Sequence, residues 1–76
     1  RGDLDRARAA LENAVRALPG YALAQENLGD VYLRMAARAY ERAGQLDPRN
    51  ADSRNKLALA RELLAKVAPR AAAASR

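Results

Sequence analysis

Apolar residues recur at intervals of three and four along three stretches of the chain, which is the spacing of amphipathic helices. The first stretch covers residues 4–18, follows Asp3 as a candidate N-cap and ends at a Pro-Gly pair. The last stretch covers residues 51–67, follows Asn50 as a candidate N-cap and stops ahead of Pro69. The pattern therefore predicts an all-α fold with helices over both stretches.

The middle stretch, residues 22–46, keeps its helical phase for longer than the other two. Its apolar positions are Leu28, Val31, Tyr32, Met35, Ala36, Ala39, Tyr40, Ala43 and Leu46. Gly29 is its weak position, at about 1 kcal/mol relative to alanine. Because the phase does not break, we predict one helix of roughly 37 Å, at about 1.5 Å per residue. Tyr32 and Tyr40 lie on the apolar stripe, which predicts core positions for both rather than ligand-stacking roles.

Part of the chain repeats itself at an offset of 29 residues. Intervals of four, three and five separate Ala7, Leu11, Ala14 and Pro19, and the same intervals separate Ala36, Tyr40, Ala43 and Pro48. The same offset relates Leu28 to Leu57. Self-similarity at a fixed period indicates a helical repeat architecture.

These residues resemble the tetratricopeptide repeat (TPR) family, whose unit is a helix–turn–helix of 34 residues. Leu28-Gly29-x-x-Tyr32 is similar to the first helix of that unit, and both copies of the repeated spacing are similar to its second helix. The resemblance covers residues 2–64. It implies a TPR-like helical domain over residues 1–68, as a fragment of a longer protein, followed by an Ala/Arg-rich tail or linker over residues 69–76.

The repeat is five residues shorter than the family's, and the gap falls between Met35 and Ala36, where the family has its turn. Two helices joined without a loop cannot fold back on each other. The sequence therefore predicts a TPR-like repeat with a fused long central helix over residues 22–46. The alternative is that turn residues belong here and are missing from the sequence, although an arbitrary omission need not preserve the helical phase.

A narrower resemblance covers the stretch from Glu26 through Leu59. It is similar to the shortened C-terminal repeat of proteobacterial envelope TPR proteins, which precede an NTF2-like, L,D-transpeptidase-associated domain. The resemblance implies a bacterial protein of the periplasm, cell envelope or cytoplasm.

Composition changes the choice of function class. The 76 residues include no Cys and no His, which removes thiol nucleophiles, disulfides, histidine bases and the usual zinc ligands. We therefore predict that the chain is not an enzyme and has no catalytic, cofactor or metal site. No apolar run approaches the roughly 20 residues of a membrane span, so no transmembrane segment is predicted.

The net charge of +5 raises an alternative function. Arg34, Arg38 and Arg42 recur at a spacing of four, as in a basic helical module that contacts nucleic acid or anionic lipid. Asp30 and Glu41 lie among them, which favours a solvated helix face over nucleic-acid binding.

The TPR resemblance also implies a peptide-binding groove. The positions that match its lining are Glu26, Asp30, Leu33, Arg34, Asn55, Leu59 and Glu62. The family's carboxylate clamp carries lysine and asparagine where Glu26 and Asp30 stand, so binding of a peptide's terminal carboxylate is not expected. These two acidic residues are more typical of a solvated surface pair.

Leu59 and Leu63 form a second apolar stripe on the last helix, apart from the stripe that includes Leu57 and Leu64. An exposed apolar patch calls for a cover, which could be a neighbouring repeat, a bound peptide helix or another copy of the chain. We therefore expect a scaffold for protein–protein interaction or self-association, and a homodimer in which each long helix bridges two half-units. The competing arrangement is a compact monomeric up-down-up bundle.

Overall fold

Three α-helices make up the computed structural model, which describes the backbone of residues 2–74 and the side chains of residues 2–67. They are α1 (Gly2–Ala17), α2 (Ala22–Leu46) and α3 (Ala51–Ala74). Residues 2–74 contain no strand. The predicted all-α fold with three helices is confirmed.

The long central helix has the predicted bounds. α2 extends from Ala22 to Leu46 and passes through Met35 without a turn. Gly29 and Gly44 lie inside it, neither has a positive φ, and a Cβ built on either meets no atom within 4 Å. Packing therefore does not require glycine at these positions. Each glycine makes the helix less favourable by about 1 kcal/mol relative to alanine.

The start of α1 differs from the prediction. The helix begins at Gly2, so Asp3 lies in its first turn and is not the N-cap. Asp3 and Asp5 still stabilise this end, because their negative charges oppose the positive end of the helix dipole. At the other end the Leu18 N–H donates to the Ala14 carbonyl at 2.9 Å, so Leu18 still takes part in the helical hydrogen bonding and the predicted end differs by one residue only.

The start of α3 confirms the predicted cap. The Ser53 N–H donates to the Asn50 side-chain oxygen at 3.0 Å, and the Ser53 hydroxyl donates to the Asn50 carbonyl at 3.2 Å. These bonds satisfy the polar groups of Ser53, which is only 5% exposed. The preceding turn is held by the Arg49 N–H, which donates to the Asp47 carboxylate at 3.2 Å.

The end of α3 lies beyond the predicted end at residue 67. The helical backbone continues to Ala74 and includes Pro69, which was predicted to follow the helix. Proline costs the helix one hydrogen bond because it has no N–H, but the alanines that follow have the highest helix propensity of any residue. The division of the chain at residue 68 stays a prediction, and residues 75 and 76 lie outside the described part.

The chain divides into two compact units whose boundary falls within α2, between Tyr32 and Leu33. Unit 1 comprises residues 1–32 and unit 2 comprises residues 33–76. In unit 1 the buried apolar residues are Ala24 and Leu28, and in unit 2 Ala60 is buried. No described side chain is less than 2% exposed, so each core is thin.

Several predicted core positions are exposed. They are Tyr32, Ala39 and Leu46, all on the apolar stripe of α2. A stripe of alternate three- and four-residue steps spans a wide arc of a helix, and one neighbouring helix covers only part of that arc. The prediction that Tyr32 is a core residue is wrong, whereas Tyr40 is half-buried.

Ala39→Pro tests the continuity of α2. In an unbroken α-helix the Ala39 N–H donates to the Met35 carbonyl, and a proline ring clashes with that carbonyl, at a cost of about 3 kcal/mol or more. We expect Ala39→Pro to lower both the helical circular-dichroism signal and the urea midpoint.

Ala51→Pro is the matched control, because Ala51 is also an exposed alanine but is the first residue of α3, where proline is tolerated. Equal losses of helicity in the two variants would contradict the continuous helix.

Candidate functional site

An open apolar groove lies between α2 and α3 within unit 2. It is lined by Leu33, Ala36, Tyr40, Lys56, Leu59, Ala60 and Leu63. Its volume is about 270 Å³ and it is open to solvent. Every lining residue belongs to unit 2.

The groove exists because small and large side chains alternate on the two facing helices. Ala36 on α2 and Ala60 on α3 each present only a methyl group, so they leave a depression between the helix backbones. Leu59 and Leu63 are four residues apart on α3 and form one wall. They are 65% and 51% exposed, although Ala60 beside them is buried. The groove is therefore an apolar surface that residues 2–67 leave uncovered.

The chemistry of the groove suits an apolar partner surface. Lys56 is the one charged residue among those that line it. Its volume falls just below the roughly 300–1,000 Å³ of enclosed small-molecule pockets. Within the described residues, no group of three or more His, Cys, Asp or Glu side chains is placed to hold a metal ion. What the groove can do is bury apolar side chains of a partner helix or turn.

The structure brings three of the predicted groove residues together. Leu33, Leu59 and Leu63 line the groove. Three other predicted positions in unit 2 do not line it: Arg34 is half-buried, and Asn55 and Glu62 are exposed.

The other two predicted residues, Glu26 and Asp30, belong to unit 1. Glu26 is exposed, as a solvated surface residue should be, whereas Asp30 is half-buried.

Sequence reasoning did not identify four residues as part of the groove. They are Ala36, Tyr40, Lys56 and Ala60. Lys56 could have been found, because it precedes Leu59 by three residues and Leu63 by seven and so shares their helix face. The two alanines could not, since apolar periodicity marks a face without showing how closely the next helix approaches it.

The arginine face of α2 is mixed in charge. Arg38 and Arg42 are exposed, and Arg34 is half-buried. Glu41 lies among them and pairs with Arg61 of α3 at 3.3 Å. Both side chains of this pair are more than half exposed, so it adds little to stability, but it places an acidic group beside the basic face.

Unit 1 contains a polar contact between its two helical segments. The Tyr32 hydroxyl donates to a Glu12 carboxylate oxygen at 2.5 Å, and Arg8 donates to the other oxygen at 3.0 Å. The Tyr32 hydrogen bond is the main cause that lowers the pKa of Glu12 below its ordinary value of 4.5, and the Arg8 charge adds to it. The same hydrogen bond raises the pKa of Tyr32 above 10.0. The exposed Tyr32 ring is thus positioned by its hydroxyl.

The signs of these shifts define two pH windows for the stability of the fold. Because the pKa of Glu12 is lower in the folded state, its ionised carboxylate stabilises the folded state above pH 4.5. This contribution is lost as the pH falls through the lowered pKa. Because the pKa of Tyr32 is higher in the folded state, its protonated hydroxyl stabilises the folded state below pH 10.0. This contribution is lost as the pH rises through the raised pKa.

Comparisons of the chain with family models, curated proteins and solved structures gave no match. Among the described residues, no helix combines the length and the apolar character needed to cross a membrane.

Tyr32→Phe removes the hydroxyl that binds Glu12. We expect the pKa of Glu12 in the folded protein to rise toward 4.5, measured by NMR titration of its side-chain carboxyl carbon. Tyr21→Phe is the control, because it also removes the hydroxyl of an exposed tyrosine, but this hydroxyl does not bind Glu12. An unchanged pKa of Glu12 in Tyr32→Phe would show that the contact does not form in solution.

Proposed function

We propose that the chain is a non-catalytic scaffold for protein–protein interaction or self-association, built from TPR-like helices. The observation that carries this proposal is the open groove of unit 2, in which Leu59 and Leu63 remain more than half exposed.

The two faces of α3 differ in how far they are covered. Leu57 and Leu64 are half-buried and Ala60 is buried, so this face of α3 is already packed within unit 2. Leu59 and Leu63 lie on the other apolar face and are 65% and 51% exposed, so each would contribute about 1–2 kcal/mol if a partner buried the rest of its side chain. An apolar face that the described part of the chain leaves uncovered is typical of an interaction surface.

The partner that we propose is a second copy of the same chain. Each unit consists of only two helical segments and has a thin core, so a dimer interface would supply burial that each unit lacks. The TPR resemblance supports the choice of function, because arrays of that family bind proteins and peptides in grooves. An origin in the bacterial periplasm, cell envelope or cytoplasm remains a prediction from the resemblance.

Substitution of the two groove leucines tests self-association. We expect the wild-type chain to sediment as a dimer at tens of micromolar. In Leu59→Gln/Leu63→Gln, the dimer dissociation constant should rise about a hundredfold or more, because roughly 3 kcal/mol or more of apolar burial is lost. Glutamine keeps the helix propensity close to that of leucine.

Leu46→Gln is the matched control, because Leu46 is 80% exposed and does not line the groove. It should dimerise like the wild type. A wild-type chain that stays monomeric throughout this concentration range would overturn self-association.

A second candidate function is a basic module for nucleic acid or anionic lipid, and the exposure of Arg38 and Arg42 is the observation in its favour. Arg38→Gln/Arg42→Gln can be compared on heparin and DNA columns with Arg6→Gln/Arg49→Gln, which removes the same charge from other exposed sites. A scaffold predicts that both variants elute at the same salt concentration. Earlier elution of the Arg38/Arg42 variant alone would favour the basic module.

A further inference from the structure

Unit 1 has an exposed apolar corner where α1 meets α2. Leu18, Tyr21 and Leu23 are 61%, 49% and 46% exposed, and we call these three residues the corner. The Tyr21 N–H donates to the Leu18 carbonyl at 3.0 Å, and the Gln25 side chain donates to the Pro19 carbonyl at 3.3 Å. These bonds fix the turn, so the corner is ordered before any partner binds and loses little entropy on docking.

The two units carry opposite net charge. Unit 1 has four basic and five acidic residues, whereas unit 2 has ten basic and four acidic residues, so their net charges are −1 and +6. Lys56 brings positive charge to the groove itself. A dimer formed by groove against groove would place two units of +6 and two Lys56 side chains face to face, which is unfavourable. A surface of unit 1, whose net charge is −1, is not repelled by the positive charge of unit 2.

A reciprocal exchange would cover both exposed surfaces at once. If the corner of one copy enters the groove of a second copy, a two-fold axis requires the corner of the second copy to enter the groove of the first. The contact then closes at two chains instead of growing into a filament. Leu18 and Leu23 of one copy would be buried against Leu59 and Leu63 of the other.

We propose that the groove of unit 2 is the docking site for the corner of unit 1 from a second copy of this chain. This inference rests on the proposed function, since it names the partner surface of the same groove. It also assigns a role to Lys56, which faces the net acidic unit of the partner copy.

An experiment with two complementary variants tests the pairing of corner and groove. The groove variant is Leu59→Gln/Leu63→Gln and the corner variant is Leu18→Gln/Leu23→Gln, and circular dichroism checks that both remain helical. Each variant alone should dimerise at least tenfold more weakly than the wild type. In a mixture, fluorescence energy transfer between labelled chains measures the heterodimer, in which one corner and one groove are both intact.

Residues in direct contact do not contribute additively, so a groove that has already lost its leucines loses little more when the corner is changed as well. We therefore expect the dissociation constant of the heterodimer to lie at least tenfold below the geometric mean of the dissociation constants of the two variant homodimers. A corner variant that dimerises like the wild type would overturn the corner–groove pairing while leaving self-association intact. Additive effects in the mixture would also overturn the pairing. A monomeric wild type would remove the proposed function and this inference together.

The charge of Lys56 supplies an independent readout. Lys56→Glu should raise the dissociation constant severalfold in dilute buffer, and the difference should disappear at about 0.5 M salt, where charges are screened. Lys66→Glu is the control, because Lys66 is an exposed lysine of α3 that does not line the groove. Tighter dimerisation of Lys56→Glu would indicate a groove-to-groove dimer and overturn the inference.

Discussion

The unbroken backbone hydrogen-bond ladder of α2 is the constraint on which the rest of the structure depends. A helix cannot pack against itself, so the residues before and after Met35 must find other neighbours. In unit 1 the first part of α2 contacts α1, where the Tyr32 hydroxyl donates to Glu12. In unit 2 the second part of α2 contacts α3, where Glu41 pairs with Arg61. A turn at Met35 would have let the two halves of α2 bury each other's apolar faces.

Two thin cores and an uncovered groove follow from that constraint. With two helical segments in each unit, the described part of the chain buries Ala24, Leu28 and Ala60 but leaves Leu59 and Leu63 exposed. The alanines that let helices approach closely also leave the depression into which a partner side chain fits. In the proposed dimer, the difference in charge between the units favours the corner of unit 1 over a second groove as the partner surface. These features are the basis on which we propose interaction as the function.

The sequence predicted those features that depend on local chemistry. Helical phase gave the bounds of α2, and Asn50 as a candidate N-cap gave the start of α3. Apolar periodicity also identified Leu59 and Leu63 as a separate face. Features set by the neighbouring helix were missed, because periodicity does not report how closely two helices approach. Ala60 was therefore not recognised in the groove, and the exposure of Tyr32 was not expected.

NMR assignment of the isolated chain shows whether α2 is continuous through Met35. Cα chemical shifts and sequential amide–amide contacts report backbone conformation residue by residue. A continuous α2 predicts helical shifts and unbroken contacts from Leu33 through Arg38, with slow amide exchange at Ala39. Two or more consecutive residues with non-helical shifts in that interval would show a turn at Met35 and would contradict the continuous helix.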